Sequence, residues 1–165
     1  KLNNITGWII GLVSTTVYIL TMEPTGSLWD TGEFISTANK LGVPHPPGAP
    51  LFLLLGRLFS MFTPGDAAIG VNLLSAISSG LTIMFLFWTI THFSRRIIQG
   101  NTEMELTGNH LFNVMAAGII GSLAYTFSDS FWFSAVEGEV YALSSFFTAI
   151  VFWAILKWEH EDSRA

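Results

Sequence analysis

The chain has 165 residues, 50% of them hydrophobic and only 12% charged, with a formal net charge of −5 and no cysteine. Soluble domains carry roughly 25% charged residues, so the composition excludes an ordinary soluble globule. The lack of cysteine removes disulfide frameworks, thiolate metal sites and cysteine nucleophiles, and the absence of any basic block argues against nucleic acid as a partner.

Uncharged stretches run from Leu2 to Met22, Ala67 to Ser94, Leu106 to Ser128 and Val140 to Leu156, together 89 of the 165 residues. A hydrocarbon core about 30 Å thick requires ~20 apolar residues per helix. The expected fold is therefore all-α and integral to the membrane. About four transmembrane helices are expected, at 5–22, 67–93, 111–128 and 139–158, with two short helices in the first outer loop. The first stretch resembles a signal-peptide core, but Met22-Glu23-Pro24 lacks a small-residue cleavage pattern, which predicts a retained span.

All six prolines fall between Pro24 and Pro64, outside the four stretches. Proline removes a backbone donor and breaks helices, so this clustering defines a connector, residues 23–66. Within it, Asp30 and Glu33 have the spacing of an N-cap and its capping-box partner. Phe34, Ile35, Ala38 and Leu41 then recur at helical spacing, and Gly42 is expected to supply the left-handed stop. These signals predict a helix over 30–41. The following VPHPPGAP is stiff and non-helical, because residues before proline are pushed out of the helical region. A second helix is predicted over 50–63, opening on proline. It is too short to span and carries Arg57 in its middle, which favours an interfacial or re-entrant placement.

With four spans, Lys1, Arg95, Arg96, Lys157 and Arg164 share one side, and Lys40 and Arg57 the other. The positive-inside rule then makes the N-terminus, residues 95–110 and the C-terminus cytoplasmic. Seven acids, Glu23, Asp30, Glu33, Asp66, Asp129, Glu137 and Glu139, gather on the outer face. Glu103, Glu105, Glu159, Glu161 and Asp162 balance the five inner bases.

The candidate chemistry follows these charges. Asp30 and Glu33 are carboxylates at a membrane boundary, suited either to capping a helix or to general-base work. His45 sits on a rigid proline scaffold near them, as a loop hydrogen-bonder, a phosphate contact or a metal ligand. No histidine–carboxylate spacing matches a known metal motif, so a divalent metal is open but not indicated, and no cofactor is expected. Arg57, among leucines, must snorkel as a headgroup anchor or meet a substrate phosphate. Glu137 and Glu139 open the last span, where they complement the helix dipole and could share a polar cleft with the Asp30 loop. Trp8, Trp29 and Trp132 fit an interfacial aromatic belt. The spans hold no ionisable residue in their interiors, where a transporter would place a relay, and Asn72 is merely polar.

The run WDTGEFISTANKLGVPHPPGAPLFLLLGRLFS, followed by GVNLLSA and WFSAVEGEVYAL, resembles a protein O-mannosyltransferase-like family of bacterial membrane proteins. It is more distantly similar to the GT-C glycosyltransferase superfamily. The resemblance extends from about Gly7 to Trp158. It implies a polyprenyl-phosphate sugar donor, transfer to a Ser or Thr hydroxyl, an acceptor protein or glycan as partner, and a location in the bacterial inner membrane with loop 23–66 periplasmic. It also assigns Asp30 as catalytic base, with Glu33 as the second acid. His45 and Arg57, with Glu137 and Glu139, are the expected substrate- and phosphate-binding residues. Family members resemble much longer proteins, so this chain is expected to be the N-terminal part of one and inactive without the remainder. A transporter component and a non-catalytic membrane assembly module are the alternative classes.

Overall fold

A computed structural model of the chain describes residues 1–100 and 107–162, with side chains up to residue 159. The charges assigned above to Glu103, Glu105 and Arg164 lie outside the described residues, as do the side chains of Glu161 and Asp162. Among the described residues, seven helices follow in order: α1 (Leu2–Thr21), α2 (Thr31–Lys40), α3 (Pro50–Met61), α4 (Ala67–Gln99), α5 (Gly108–Thr126), α6 (Asp129–Val136) and α7 (Val140–Asp162). No strand occurs among the described residues. The chain is all-α and membrane-like, as its composition implies.

Helices α1, α4 and α7 are each long and apolar enough to cross a membrane. The third expected span is not one straight helix. Helix α5 stops at Thr126, and α6 departs from it at 64°, so the pair counts as a fourth span only if it is a broken one. The short turn expected after residue 128 is thus largely an eight-residue helix. Apolar Phe131, Ala135 and Val136 bury it, with Phe131 and Trp132 packed edge-on against Tyr18 of α1 at 6.2 and 5.6 Å.

Helix α4 is the axis of the fold. Its 33 residues make a rod about 50 Å long, and α1, α2, α3, α5, α6 and α7 all pack against it. A carboxylate starts it, Asp66 accepting from the Ile69 N–H at 3.2 Å. Where helices cannot rely on apolar burial to associate, small residues allow close van der Waals approach. A Cβ on Gly80 would collide with Thr15 of α1, and one on Gly118 of α5 would lie 2.8 Å from the Phe87 ring. At Gly70 the obstacle is the backbone of Ser60 in α3, 2.7 Å away. Polar bonds reinforce these contacts: Ser14 and Thr126 hydroxyls are 3.0 Å apart, and Tyr18 donates to the Thr126 carbonyl at 2.9 Å.

Helix α3 lies between α2 and α4 and is short, with Pro50 in its first turn and Phe52, Leu53, Gly56 and Ser60 buried. Helix α2 buries Thr31, Phe34 and Ala38 along one stripe, with Glu33 in its first turn and Lys40 in its last, as its dipole favours. Two local expectations are corrected here. Asp30 occupies the N-cap position, but its side chain makes no capping bond, so the capping box does not form. The left-handed residue ending α2 is Leu41, φ 52°, and the Gly42 N–H closes the turn onto the Thr37 carbonyl at 2.8 Å.

Candidate functional site

Helix α2 presents its first turn, and the proline loop after it folds back, so that Asp30, Glu33 and His45 meet. The loop is shaped by a cis Pro46–Pro47 bond and by Gly48, whose φ of 76° suits a residue without a Cβ. The Gly48 N–H donates to the His45 carbonyl at 3.0 Å. His45 then engages Glu33 twice. Its backbone N–H donates to Oε1 at 2.7 Å, and its ring Nδ1 lies 2.8 Å from Oε2. With Nδ1 so occupied, Nε2 points to the other carboxylate, 3.9 Å from Asp30 Oδ2. The hydrogen bonds from His45 hold the Glu33 carboxyl below its ordinary range, and the same carboxylate raises the imidazole.

Asp30 itself is different. Its side chain is 57% exposed and makes no hydrogen bond among the described residues. The residue before it, Trp29, has φ 62° and is 84% exposed. A bulky side chain in the left-handed region is an outlier that costs on the order of 1–3 kcal/mol, and such strain clusters at functional sites. Neither composition nor spacing signals it.

From the far end of the sequence comes the turn between α6 and α7. Its backbone is tied to both sides: the Glu23 N–H donates to the Val136 carbonyl at 2.9 Å, and Ser75 Oγ lies 3.5 Å from the Glu139 carbonyl. Asn72 of α4 donates to the Glu23 and Thr25 carbonyls at 2.7 and 3.2 Å, fixing the start of the connector against the same wall. Gly138 fits because a Cβ there would lie 2.9 Å from Val71. Glu139 is consequently buried beside the first residue of α2, and the Thr31 hydroxyl donates to its Oε1 at 3.3 Å. Burial pushes the Glu139 carboxyl up, the Thr31 hydrogen bond opposes this, Asp30 adds to the rise, and the Val140 N–H and His45 oppose it further. Glu137 is 2% exposed with neither carboxylate oxygen hydrogen-bonded among the described residues. Burial, then Glu139 and Glu23, drive its carboxyl upward, against a smaller opposing influence of the nearby Thr31 hydroxyl.

Asp30, Glu33, His45 and Glu139 are thus one electrostatic cluster, with Glu137 behind it. Arg57 is not brought to it. Its Nη1 donates to both the backbone and side-chain oxygens of Asn39, at 2.9 and 2.8 Å, about 9 Å further along α2 than Glu33. Thr31 and Asn72 organise the site although nothing in their sequence surroundings marks them. One oxygen from each of Asp30 and Glu33 and one His45 nitrogen lie within 4.8 Å of one another, a donor set that could hold a divalent cation.

The family described as Protein O-mannosyl-transferase TMEM260 N-terminal domain matches residues 30–165, beginning at Asp30. The mouse Protein O-mannosyl-transferase TMEM260 is 31% identical over 144 residues, covering 87% of this chain and 18% of the mouse protein. Its Dictyostelium discoideum counterpart is 29% identical over 140 residues, covering 83% of this chain and 15% of that protein. No solved structure matches. The chain therefore spans less than a fifth of the length of these curated relatives. With the family matching more than half of its residues, the chain belongs to the TMEM260 N-terminal-domain family of protein O-mannosyl-transferases.

Proposed function

We propose that this chain is the N-terminal membrane part of a glycosyltransferase that transfers a hexose from a polyprenyl-phosphate carrier to a Ser or Thr hydroxyl, with Asp30 as the base. The observation that carries the assignment is the division of labour among the four clustered carboxylates. Glu33 is engaged by His45, Glu139 accepts from Thr31 and is buried, and Glu137 is buried. Of these four, only Asp30 is exposed and makes no side-chain hydrogen bond among the described residues, its charged neighbour being His45 Nε2 at 3.9 Å.

In the proposed step the acceptor oxygen attacks the anomeric carbon while the bond from that carbon to the phosphate oxygen breaks. The hydroxyl proton passes to Asp30, the electron pair leaves with the lipid phosphate, and the configuration inverts. A base drawing a proton from a weakly acidic hydroxyl contributes about 10²–10⁴-fold. His45, its cationic form favoured by Glu33, can meet the charge that grows on the departing phosphate. Arg57 is a less direct candidate for that role, since Asn39 holds its guanidinium.

The site lies at one end of α4 and the bases Arg95 and Arg96 at the other, and by the positive-inside rule the Asp30 end faces away from the cytoplasm. The named relatives are eukaryotic. The expected bacterial inner membrane and periplasmic loop remain part of the proposal, as do the donor lipid, the acceptor and the need for the rest of the protein.

Asp30→Asn in the full-length protein, assayed for sugar transfer to a Ser/Thr peptide, tests the reading. Loss of about 10²-fold or more, with membrane insertion unchanged, is expected. Unchanged transfer refutes the base assignment, and loss of ion flux instead favours a transporter. A second reading is favoured by the 4.8 Å grouping of Asp30, Glu33 and His45: a divalent cation there would position the phosphate. Abolition of transfer by a chelator, restored by added metal, would select it.

A further inference from the structure

At the opposite end of α4 from Asp30 is a second polar centre. Asn72, against the acidic cluster, and Arg95 are about 34 Å apart along the helix axis, close to the thickness of a hydrocarbon core, about 30 Å. There α1, α4, α5 and α7 enclose a cavity of about 350 Å³. Trp8, Trp88 and Trp153 line it as a continuous aromatic chain, Trp8 to Trp88 at 6.2 Å and Trp88 to Trp153 at 5.5 Å between ring centroids. Arg95 and Lys157 line it as exposed cations.

The cations at this end are not equivalent. Arg96 is neutralised by Glu159, its two terminal nitrogens each donating to a carboxylate oxygen at 3.0 Å. Arg95 and Lys157 form no ion pair among the described residues. Arg95 Nε donates to Gln99 at 2.8 Å, and Lys157 Nζ lies 5.5 Å from the centroid of Trp153. Asn3 adds an unmet demand. Its Oδ1 is buried and has no hydrogen-bond partner among the described residues, while its carbonyl accepts from Trp88 Nε1 at 3.3 Å. A buried acceptor left without a donor is unfavourable.

Two uncompensated cations ask for an anion, an orphaned acceptor asks for a hydroxyl or amine, and indoles belong at the headgroup level of a bilayer. We propose that this cavity binds the headgroup of an anionic, hydroxyl-bearing phospholipid. The phosphodiester sits between Arg95 and Lys157, a headgroup hydroxyl donates to Asn3 Oδ1, and the indoles flank the glycerol. Basic pockets between spans at a membrane interface are recognised lipid sites. Nothing in the proposed sugar transfer uses these residues.

The test uses the full-length protein in detergent, with short-chain phosphatidylglycerol and phosphatidylcholine as probes and retained lipid read by native mass spectrometry. Preferential retention of phosphatidylglycerol is expected. Arg95→Gln and Lys157→Gln should each weaken it about fivefold, at about 1 kcal/mol per interfacial cation. Lys40→Gln, a cation outside the cavity, should leave it unchanged. Equal retention of both lipids, or wild-type retention by the double variant, overturns the proposal. Displacement by soluble glycerol 3-phosphate as effective as by the lipid also overturns it, because the site would then serve a free phosphate. Should the variants fail to fold, a photoactivatable phosphatidylglycerol on the wild type decides. Crosslinks within 88–95 and 153–157 support the site, and crosslinks confined elsewhere overturn it.

Discussion

His45 binds one carboxylate, Glu33, through both its backbone and its ring, and thereby turns its free nitrogen toward a second, Asp30, 3.9 Å away. A loop residue is in this way oriented by a helix residue twelve positions earlier. The contact closes the VPHPPG segment over the first turn of α2. It also fixes which imidazole nitrogen is available to a substrate.

The pair gives a pH signature. His45 is raised above 6.5 in the folded protein, so its stabilising contribution is complete below 6.5 and lost as pH rises through the raised value. Glu33 is lowered below 4.5, so its contribution is present above 4.5 and lost as pH falls through the lowered value. Mutual stabilisation is therefore fullest between 4.5 and 6.5. Ring NMR should find His45 titrating above 6.5, and Glu33→Gln should bring it back toward 6.5. An unmoved titration in the variant would show that the contact does not form in solution.

Glu137 predicts the opposite slope. Its carboxyl is raised above 4.5 by burial, so its penalty is absent below 4.5, grows as pH rises toward the raised value and is complete above it. Glu137→Gln should accordingly unfold at a higher temperature than the wild type at alkaline pH and at the same temperature near pH 4.5. Thermal unfolding followed across that range checks the sign.

Arg57 is held as a clamp between α3 and α2, since one nitrogen serves both oxygens of Asn39. Arg57→Gln and Asn39→Ala should each cost about 0.5–1.5 kcal/mol of stability and combine to less than their sum. A denaturation double-mutant cycle measures this. Additive losses would mean that the two residues do not act together.

Gly70 packs directly against α3, since a Cβ there would lie 2.7 Å from the Ser60 backbone, which cannot rotate aside. Gly70→Ala should destabilise the fold by about 1–3 kcal/mol through forced separation of the helices. Gly32, with open space where a Cβ would go, provides the control: Gly32→Ala should be neutral or slightly stabilising, since alanine favours helix.

Composition and the run-lengths of uncharged residues determined the all-α membrane class, because a hydrocarbon core demands long apolar helices whatever their partners. The proline cluster likewise marked the connector and bounded α3, and helical spacing found α2, since these signals are local and survive without tertiary context. The motif around Asp30, Glu33 and His45 was legible for the same reason, although its capping box was not formed: a loop donor, His45, outcompeted the helix N-terminus for Glu33. Tertiary structure alone decided the rest. The 64° break after Thr126 serves packing on Tyr18, a residue more than a hundred positions earlier. Arg57 went to Asn39 rather than to the acids, and Glu139 came to Thr31 from 108 positions away. Such pairings depend on how helices pack around α4, and no periodicity or spacing along the chain encodes which distant side chains will share one end of that rod.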